Sequence, residues 1–321
     1  MRSPHPFKND HLKMTMSVRL SPATTIRASF AVGAIAALMP IGMLLVGTAV
    51  RTQELRDCDE SGAIVCPERG SELKWNADPI PYIIAPRLTN LLDRRPTFAW
   101  ASIPEAESYI IEMIDGITGE VLFSALAPAT VDRLVYPETL PDLSPDTFYR
   151  LEVAANNGAA SWQAEPNDGV AFEVLSDERA AEYAAELDAR ADAEGAIDPV
   201  TLAEIQQEFG LYQLAIETYR DALEDPTLTD SARADLMLRS AKLHWNELEL
   251  VPEAAALYEA AYAIAPSAPV AERPGAALLP LGARDRALGY WDAALAGYLT
   301  EGDEASANRV REERDRIRGV E

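Results

Sequence analysis

The stretch Leu143–Gly158, with the sequence LSPDTFYRLEVAANNG, decides the fold of the first half of this 321-residue chain. Within it, Tyr149, Leu151 and Val153 alternate with polar or small residues. Successive side chains of a β-strand point to opposite faces, so a period of two predicts a strand with one buried face.

Short runs of aromatic and β-branched residues lie on either side of this strand. They are Thr97–Trp100, Ser108–Ile114, Val121–Phe123 and Phe172–Val174. The dipeptides Asp115-Gly116 and Thr118-Gly119 supply turn chemistry between two of the runs. Short strands separated by turn signals at regular spacing predict an antiparallel β-sandwich over residues 86–175.

The stretch that begins at Leu143 resembles the fibronectin type III pattern Leu-x-Pro-x-Thr-x-Tyr-x-Val-x-Val-x-Ala-x-Asn, with Leu151 in place of one Val. The resemblance implies a fibronectin type III or immunoglobulin-like sandwich in which Leu143 and Tyr149 form a tyrosine corner. It also implies that Trp100 lies in the core. Domains of this family have no chemistry of their own; they act as spacers or bind partners, including glycans in some cases.

Residues 176–200 have the composition of a helix. Ser176 is a suitable N-cap, and Asp177 and Glu178 follow in the first turn, where the helix dipole favours acids. The Ala-rich sequence up to Ala189 contains good helix formers. We therefore expect a connecting helix that leads out of the sandwich.

Three similar blocks follow in residues 201–321, each with a central Ala and a Tyr four positions later. Their residues are Gly210, Ala215 and Tyr219 in the first block, Ala254 and Tyr258 in the second, and Gly289, Ala294 and Tyr298 in the third. The central Ala residues are 39 and 40 positions apart. Gly282 belongs to a Leu-Gly pair that we assign to the third block.

These blocks resemble tetratricopeptide repeats, whose small residues lie where paired helices touch and whose usual period is about 34 residues. The resemblance implies a C-terminal α-helical array with a concave groove, which is the family's usual site for peptides or partner helices. A second interpretation is that the repeats only brace the sandwich and bind nothing.

The N-terminal segment, residues 1–50, contains an uncharged hydrophobic run from Ser29 to Val50. About 20 helical residues span a bilayer core. Basic residues dominate the flank before the run, which predicts that the following chain is exported. Two alternatives stay open. An uncleaved anchor would hold the protein in the bacterial inner membrane, facing the periplasm. A cleaved signal peptide would leave it periplasmic or secreted, with Gly47–Ala49 as the small residues of the cleavage site.

Cys58 and Cys66 lie in the predicted linker, residues 51–85. An exported chain meets an oxidising compartment, which favours a disulfide between them. A metal site is the alternative, but no further Cys or His lies nearby to complete it.

Composition excludes several functions. The chain has 28 Lys and Arg against 52 Asp and Glu, and a net charge of −24 makes it a poor nucleic-acid binder. It contains no G-x-x-x-x-G-K-[ST], H-E-x-x-H or G-x-S-x-G motif. We therefore predict no catalytic residue, no cofactor and no metal.

The expected function is that of a non-enzymatic envelope adaptor that binds a protein or peptide through the helical groove. One alternative is a cell-wall glycan-binding module that uses the sandwich, which an exposed aromatic row would favour. The other is a cryptic hydrolase, which needs two carboxyl groups roughly 5–10 Å apart in a cleft. The acidity indicates either a basic partner or a saline or periplasmic setting.

Overall fold

The computed structural model describes residues 79–163 and 170–319, and the first of these ranges is a β region. The strands of the described chain are β1 (Ile83–Ala85), β2 (Thr89–Leu91), β3 (Thr97–Trp100), β4 (Ser108–Asp115), β5 (Val121–Pro128), β6 (Arg133–Val135), β7 (Phe148–Ala155) and β8 (Val170–Val174). One 3₁₀ turn, Ser161–Gln163, follows β7.

The strands form two sheets that share one core. The first sheet has the order β1-β3-β6 and the second has the order β2-β8-β7-β4-β5. All pairings are antiparallel except that of β2 with β8. Large buried side chains from both sheets pack together, among them Phe98, Trp100, Tyr109 and Phe172. Tyr149, Leu151 and Val153 of β7 are buried on this core, as the alternation in the sequence predicts.

Three short strands, β1, β2 and β6, lie where the sequence showed no clear pattern. Ile83 in β1 pairs with Trp100, so the sheet begins inside the predicted linker, residues 51–85. The others are β2, which pairs with β8, and β6, which pairs with β3. A three-residue strand has too few positions for a period of two to be recognised, and only its pairing identifies it.

The chain from Ser176 onward is helical. The helices are α1 (Asp177–Arg190), α2 (Pro199–Glu208), α3 (Tyr212–Ala222), α4 (Asp230–Asn246), α5 (Val251–Ile264), α6 (Ala268–Leu278), α7 (Arg284–Glu301) and α8 (Glu304–Arg318). The Ser176 hydroxyl accepts a hydrogen bond from the Arg179 N–H at 3.0 Å and so caps α1, as predicted.

Small buried residues lie where the helices of each pair touch. The pairs are α2 with α3, α4 with α5, and α6 with α7, each joined by a short turn. The small residues are Ala203 and Ala215, Ala241 and Ala254, and Gly275 and Ala287. A methyl group or a hydrogen at these positions lets two helix backbones approach closely, so the helices can bury the larger side chains beside the contact.

The third pair has a different register from the one predicted. Gly282, with a φ of +69°, lies in the turn before α7, as Gly210, with a φ of +70°, lies in the turn before α3. Ala287, five residues after Gly282, is therefore the structural counterpart of Ala215. The buried Ala residues 215, 254 and 287 are 39 and 33 positions apart rather than 39 and 40.

The long helix α7 explains the shift. It runs for 18 residues, and Gly289 lies inside it rather than in a turn. Seven residues make nearly two helical turns, so Ala287 and Ala294 lie on the same face and both are fully buried. Trp291 and Tyr298 repeat in the same way, so α7 matches the sequence pattern twice.

The first two strands join the β region to the helices. Arg87 is fully buried between them, and its Nε donates a hydrogen bond to the Leu248 carbonyl in the α4–α5 turn. The Asn90 amide Nδ2 donates to the Phe209 carbonyl at 2.8 Å, and the Asn90 N–H donates to the Gly210 carbonyl at 2.8 Å. Polar groups of one short segment thus bind the turns of two successive helix pairs.

Candidate functional site

Two ion pairs link even-numbered helices of the array. Arg239 of α4 forms an ion pair with Glu204 of α2 at 3.2 Å. Arg309 of α8 forms an ion pair with Glu272 of α6 at 2.6 Å. These contacts place α2 beside α4 and α6 beside α8. We call the exposed side chains of α2, α4, α6 and α8 the even-helix face.

Helices α5 and α7 are linked to each other by a separate set of contacts. Arg286 of α7 donates two hydrogen bonds to the Glu259 carboxylate of α5, at 2.5 and 2.6 Å. The Tyr290 hydroxyl donates to the same carboxylate at 3.2 Å, and its ring packs edge-on against Tyr262 at 5.4 Å. The two sides of the array therefore carry different groups, and each can be tested independently.

A buried carboxylate holds the end of the even-helix face together. Glu272 is 3 % exposed, and its carboxylate accepts hydrogen bonds from Arg309 at 2.6 and 2.7 Å and from the Tyr298 hydroxyl at 2.5 Å. Burial and the Glu272 carboxylate raise the pKa of Tyr298, and the hydrogen bonds to Glu272 raise the pKa of Arg309. Tyr298 and Arg309 therefore stay protonated at neutral pH, and their hydrogen bonds to Glu272 fix α8 to α6 and α7.

Helices α4 and α6 each carry an exposed cation, and α4 has apolar surface beside its cation. On α4, Leu238, Lys242 and Trp245 follow at helical spacing; Lys242 is exposed, and the other two are half-buried. On α6, Arg273 is exposed. Within the described parts of the chain, neither Lys242 nor Arg273 has an ion-pair partner. A cation without an internal partner can bind a carboxylate from outside at little cost in existing contacts.

Sequence reasoning did not single out Lys242 or Arg273. The repeat pattern marks the positions that pack, and side chains on the exposed stripe of each helix follow no such pattern. A helical projection of α4 shows one exposed stripe between two buried ones, and that projection is the signal that could have identified Lys242.

The repeat positions predicted from the sequence are structural. Ala215, Ala254 and Ala294 are fully buried, and Tyr219, Tyr258 and Tyr298 are buried beside them. Gly210 and Gly282 lie in turns, whereas Gly289 is exposed on α7. Two of the predicted tyrosines reach polar groups of even-numbered helices: the Tyr298 hydroxyl donates to Glu272 of α6, and the Tyr219 hydroxyl accepts from the Gln207 amide of α2 at 3.5 Å.

The Tyr149 hydroxyl contacts the backbone of the loop that precedes its own strand. It accepts a hydrogen bond from the Ser144 N–H at 2.8 Å and faces the Ser144 carbonyl oxygen at 3.4 Å. Leu143, the preceding residue, is buried in the same core. These contacts fix the loop that leads into β7.

The β region has two exposed aromatic residues in its described part, Phe148 and Trp162. Phe148 begins β7, and Trp162 lies in the 3₁₀ turn after β7 has ended. They are therefore at opposite ends of the strand and do not form a row.

Several predictions concern residues that the structure does not describe. These are the N-terminal hydrophobic run, residues 29–50, and the pair Cys58 and Cys66. Among residues 79–163 and 170–319, no helix is both long and apolar enough to cross a bilayer. The same ranges contain no group of three or more His, Cys, Asp or Glu residues placed to bind a metal ion.

His244 on α4 provides a pH-dependent group next to the site. Its Nδ1–H donates to the Ser240 carbonyl at 2.8 Å. Burial lowers the pKa of His244, while the Ser240 carbonyl and the Glu253 carboxylate oppose that shift. The folded chain therefore keeps a neutral imidazole at a pH at which the unfolded chain binds a proton.

We expect the protein to lose stability as the pH falls through the ordinary histidine pKa of about 6.5, because protons then favour the unfolded chain. His244→Gln should remove this component, by up to about 1.4 kcal/mol per pH unit. Urea unfolding of both proteins at several pH values measures the difference. Parallel stability–pH curves for the two proteins would contradict the assignment.

No protein-family model and no curated protein matches this chain. Among solved structures, one that is similar is "Crystal structure of BtubC (BKLC) from P. vanneervenii", at 22% identity and a TM-score of 0.33. That match covers 37% of this chain and spans about half of the BtubC chain, 52%. Another is "First TPR of Spaghetti (RPAP3) bound to HSP90 peptide SRMEEVD", at 20% identity and a TM-score of 0.31. It covers 41% of this chain and 96% of that one. Both TM-scores are well below 0.5, so neither likeness defines the fold or function of this chain.

Proposed function

We propose that this chain is a non-enzymatic adaptor whose even-helix face binds a segment of a partner protein. The observation that carries the proposal is the presence of Lys242 and Arg273, two exposed cations without ion-pair partners in the described chain, on a protein of net charge −24. Leu238 and Trp245 offer apolar surface beside Lys242. Apolar contact together with a few directed polar groups is typical of protein interfaces.

The chemistry of the face favours an acidic partner segment. Most exposed surface of this chain repels acids, so the exposed cations of α4 and α6 are where a carboxylate would gain most. This differs from the basic partner that net charge alone indicates, because net charge averages over all faces of the molecule.

We further infer a tetratricopeptide-like array. In three successive helix pairs, each helix has a small residue at the contact with its partner. Tyr219, Tyr258 and Trp291 each lie four residues after the small residue of the second helix in the pair. The fibronectin type III-like interpretation of the β region rests on the strand order β2-β8-β7-β4-β5 opposite β1-β3-β6 and on the Tyr149–Ser144 contact.

Export to the bacterial envelope completes the proposal. Its support is the sequence of the N-terminal segment, with its basic flank and the uncharged run over residues 29–50. An adaptor in that compartment would be either anchored or released, depending on cleavage after the run.

The experiment is a peptide-library selection on the full chain, followed by binding measurements on selected peptides. We expect enrichment of acidic peptides and at least about a tenfold loss of affinity in Lys242→Glu/Arg273→Glu, because two attractive charges become repulsive. The affinity should also fall with added salt.

The matched control is Arg133→Glu/Arg220→Glu, which makes the same change in net charge. Arg133 is exposed on β6, and Arg220 is exposed on α3. It should bind the selected peptides within about twofold of the unsubstituted chain, because its charges lie off the even-helix face. Equal losses in both double variants would show that the binding depends on net charge and not on this face.

A further inference from the structure

Exposed apolar side chains concentrate in the β region. Of the ten large apolar residues that are exposed in the described chain, nine lie in the β region and one, Leu299, lies on a helix. Ile110 of β4, 46% exposed, lies directly opposite Leu126 of β5, 62% exposed. Ile110 also lies opposite the half-buried Ala154 of β7. We call these three residues, which cross three strands on the outer face of the five-stranded sheet, the apolar row.

Two carboxylates lie beside the apolar row on the same face. Glu112 of β4 lies opposite Ser124 of β5 on one side and opposite Glu152 of β7 on the other. The Ser124 hydroxyl donates to the Glu112 carboxylate at 3.2 Å, and Arg150 forms an ion pair with Glu152 at 3.0 Å. We call Glu112 and Glu152 the acidic row. Residues two positions apart on a strand are separated by about 7 Å, so the acidic row borders the apolar row.

The acidic row is electrostatically unfavourable in the chain by itself. Like charges at directly opposed positions of neighbouring strands destabilise a sheet. Arg150 pairs with Glu152, and no cation of the described chain forms an ion pair with Glu112. A cation from outside would relieve the repulsion and give Glu112 the partner that the described chain does not supply.

We propose that the apolar row and the acidic row together form a second docking face of the adaptor, which binds a basic segment of a partner protein. The segment places a large apolar side chain on Ile110 and Leu126, and a lysine or arginine beside Glu112. In an extended segment these two residues are two positions apart, because about 7 Å then separates them, as it separates the two rows. This goes beyond the proposed function, since the second partner has the opposite charge and binds the β region.

Charge complementarity selects a basic partner for this face. Residues 79–163 contain eleven Asp and Glu against five Arg, so the field around the two rows is negative. A second copy of this chain, with a net charge of −24, would bring like charge to the face. An anionic lipid surface would do the same with its phosphates. A basic protein segment gains both the apolar contact and the ionic contact.

The test begins with a peptide-library selection on the unsubstituted full chain. We expect two classes of enriched peptides, the acidic ones of the even-helix face and a basic class with a large apolar residue near a lysine or arginine. Each class reports on one face, so either proposal can fail without the other. Binding of the basic class should persist in Lys242→Glu/Arg273→Glu, because those cations belong to the even-helix face.

The apolar row is tested with Leu126→Ser. This variant should bind the selected basic peptides at least about fivefold more weakly, because it removes an apolar contact. Val135→Ser is the matched control, since Val135 is also 62% exposed but lies on β6 of the other sheet. It should bind within about twofold of the unsubstituted chain. Both positions are exposed, so both variants should keep the circular dichroism spectrum, and equal losses of affinity would overturn the proposal.

The acidic row is tested with Glu112→Lys at physiological salt, which screens distant charges. We expect at least about a tenfold loss of affinity for the basic peptides, because an attractive charge becomes repulsive. Glu138→Lys makes the same change in net charge at an exposed position outside both rows, and it should cost less than about threefold. Equal losses in the two variants would overturn the proposal. So would a selection that enriches no basic peptide, the result expected if another segment or a second copy covers the face.

Discussion

Replacing Arg87 by methionine should lower the free energy of unfolding by about 2–4 kcal/mol. The guanidinium is fully buried and donates to the Leu248 carbonyl, so methionine fills the space of the stem but leaves that carbonyl without its donor. The lost hydrogen bond lies between the β region and the helices, where Asn90 and Thr89 also contact the Gly210 carbonyl. We therefore expect the two regions to unfold less cooperatively.

Urea unfolding followed by circular dichroism measures the stability, and hydrogen exchange with mass spectrometry locates the opening. The amides of α4 and α5 should exchange faster in Arg87→Met, while those of β4 and β7 keep their protection. Arg133→Met is the control, because Arg133 is largely exposed and pairs only with its neighbour Asp132 among the described residues. It should cost less than about 0.5 kcal/mol. Equal costs for the two variants would contradict the role of Arg87.

Replacing Arg309 by methionine should lower the free energy of unfolding by about 2–3 kcal/mol, since it leaves a buried carboxylate without its cation. Glu272 would keep only the Tyr298 hydroxyl of its three hydrogen-bond donors. A third of the Arg309 side chain is exposed, so the effect should fall below that of a fully buried pair. Helix α8 should then exchange its amide hydrogens faster than α7.

The double variant Glu272→Gln/Arg309→Met distinguishes a lost charge partner from lost packing. Glutamine still accepts a hydrogen bond from Tyr298 and carries no charge, so the double variant should recover at least about half of the loss. Arg316→Met, on an exposed position of α8, should change stability by less than about 0.5 kcal/mol. A double variant no more stable than Arg309→Met would show that the arginine acts by packing alone.

The strands with clear alternation were predictable. Thr97–Trp100 was predicted with the bounds that the structure has, and the prediction of a strand from Ser108 to Ile114 ends one residue short of β4. The contacts between the β region and the helices were not predictable, because their hydrogen bonds connect residues such as Asn90 and Phe209, which are 119 positions apart. Local sequence contains no information about such a pairing.

The third helix pair shows a second limit. Ala294 and Tyr298 match the repeat pattern as well as Ala287 and Trp291 do, because a shift of seven residues preserves the face of a helix. The pattern identifies which face packs, but only the turn at Gly282 identifies where the pair begins. For the site, the sequence predicted the buried positions and not the exposed cations, since only the fold shows which polar residues share a face.

Site-specific photo-crosslinking tests the central claim, that the even-helix face binds a partner, most directly. A photoreactive residue would replace Pro269, exposed one turn before Arg273 on α6, and in a matched variant Ala263, exposed on α5. With a selected acidic peptide present, we predict crosslinking from position 269, little from position 263, and loss of the first signal in Lys242→Glu/Arg273→Glu. Crosslinking from position 263 alone, or from both positions equally, would contradict the account.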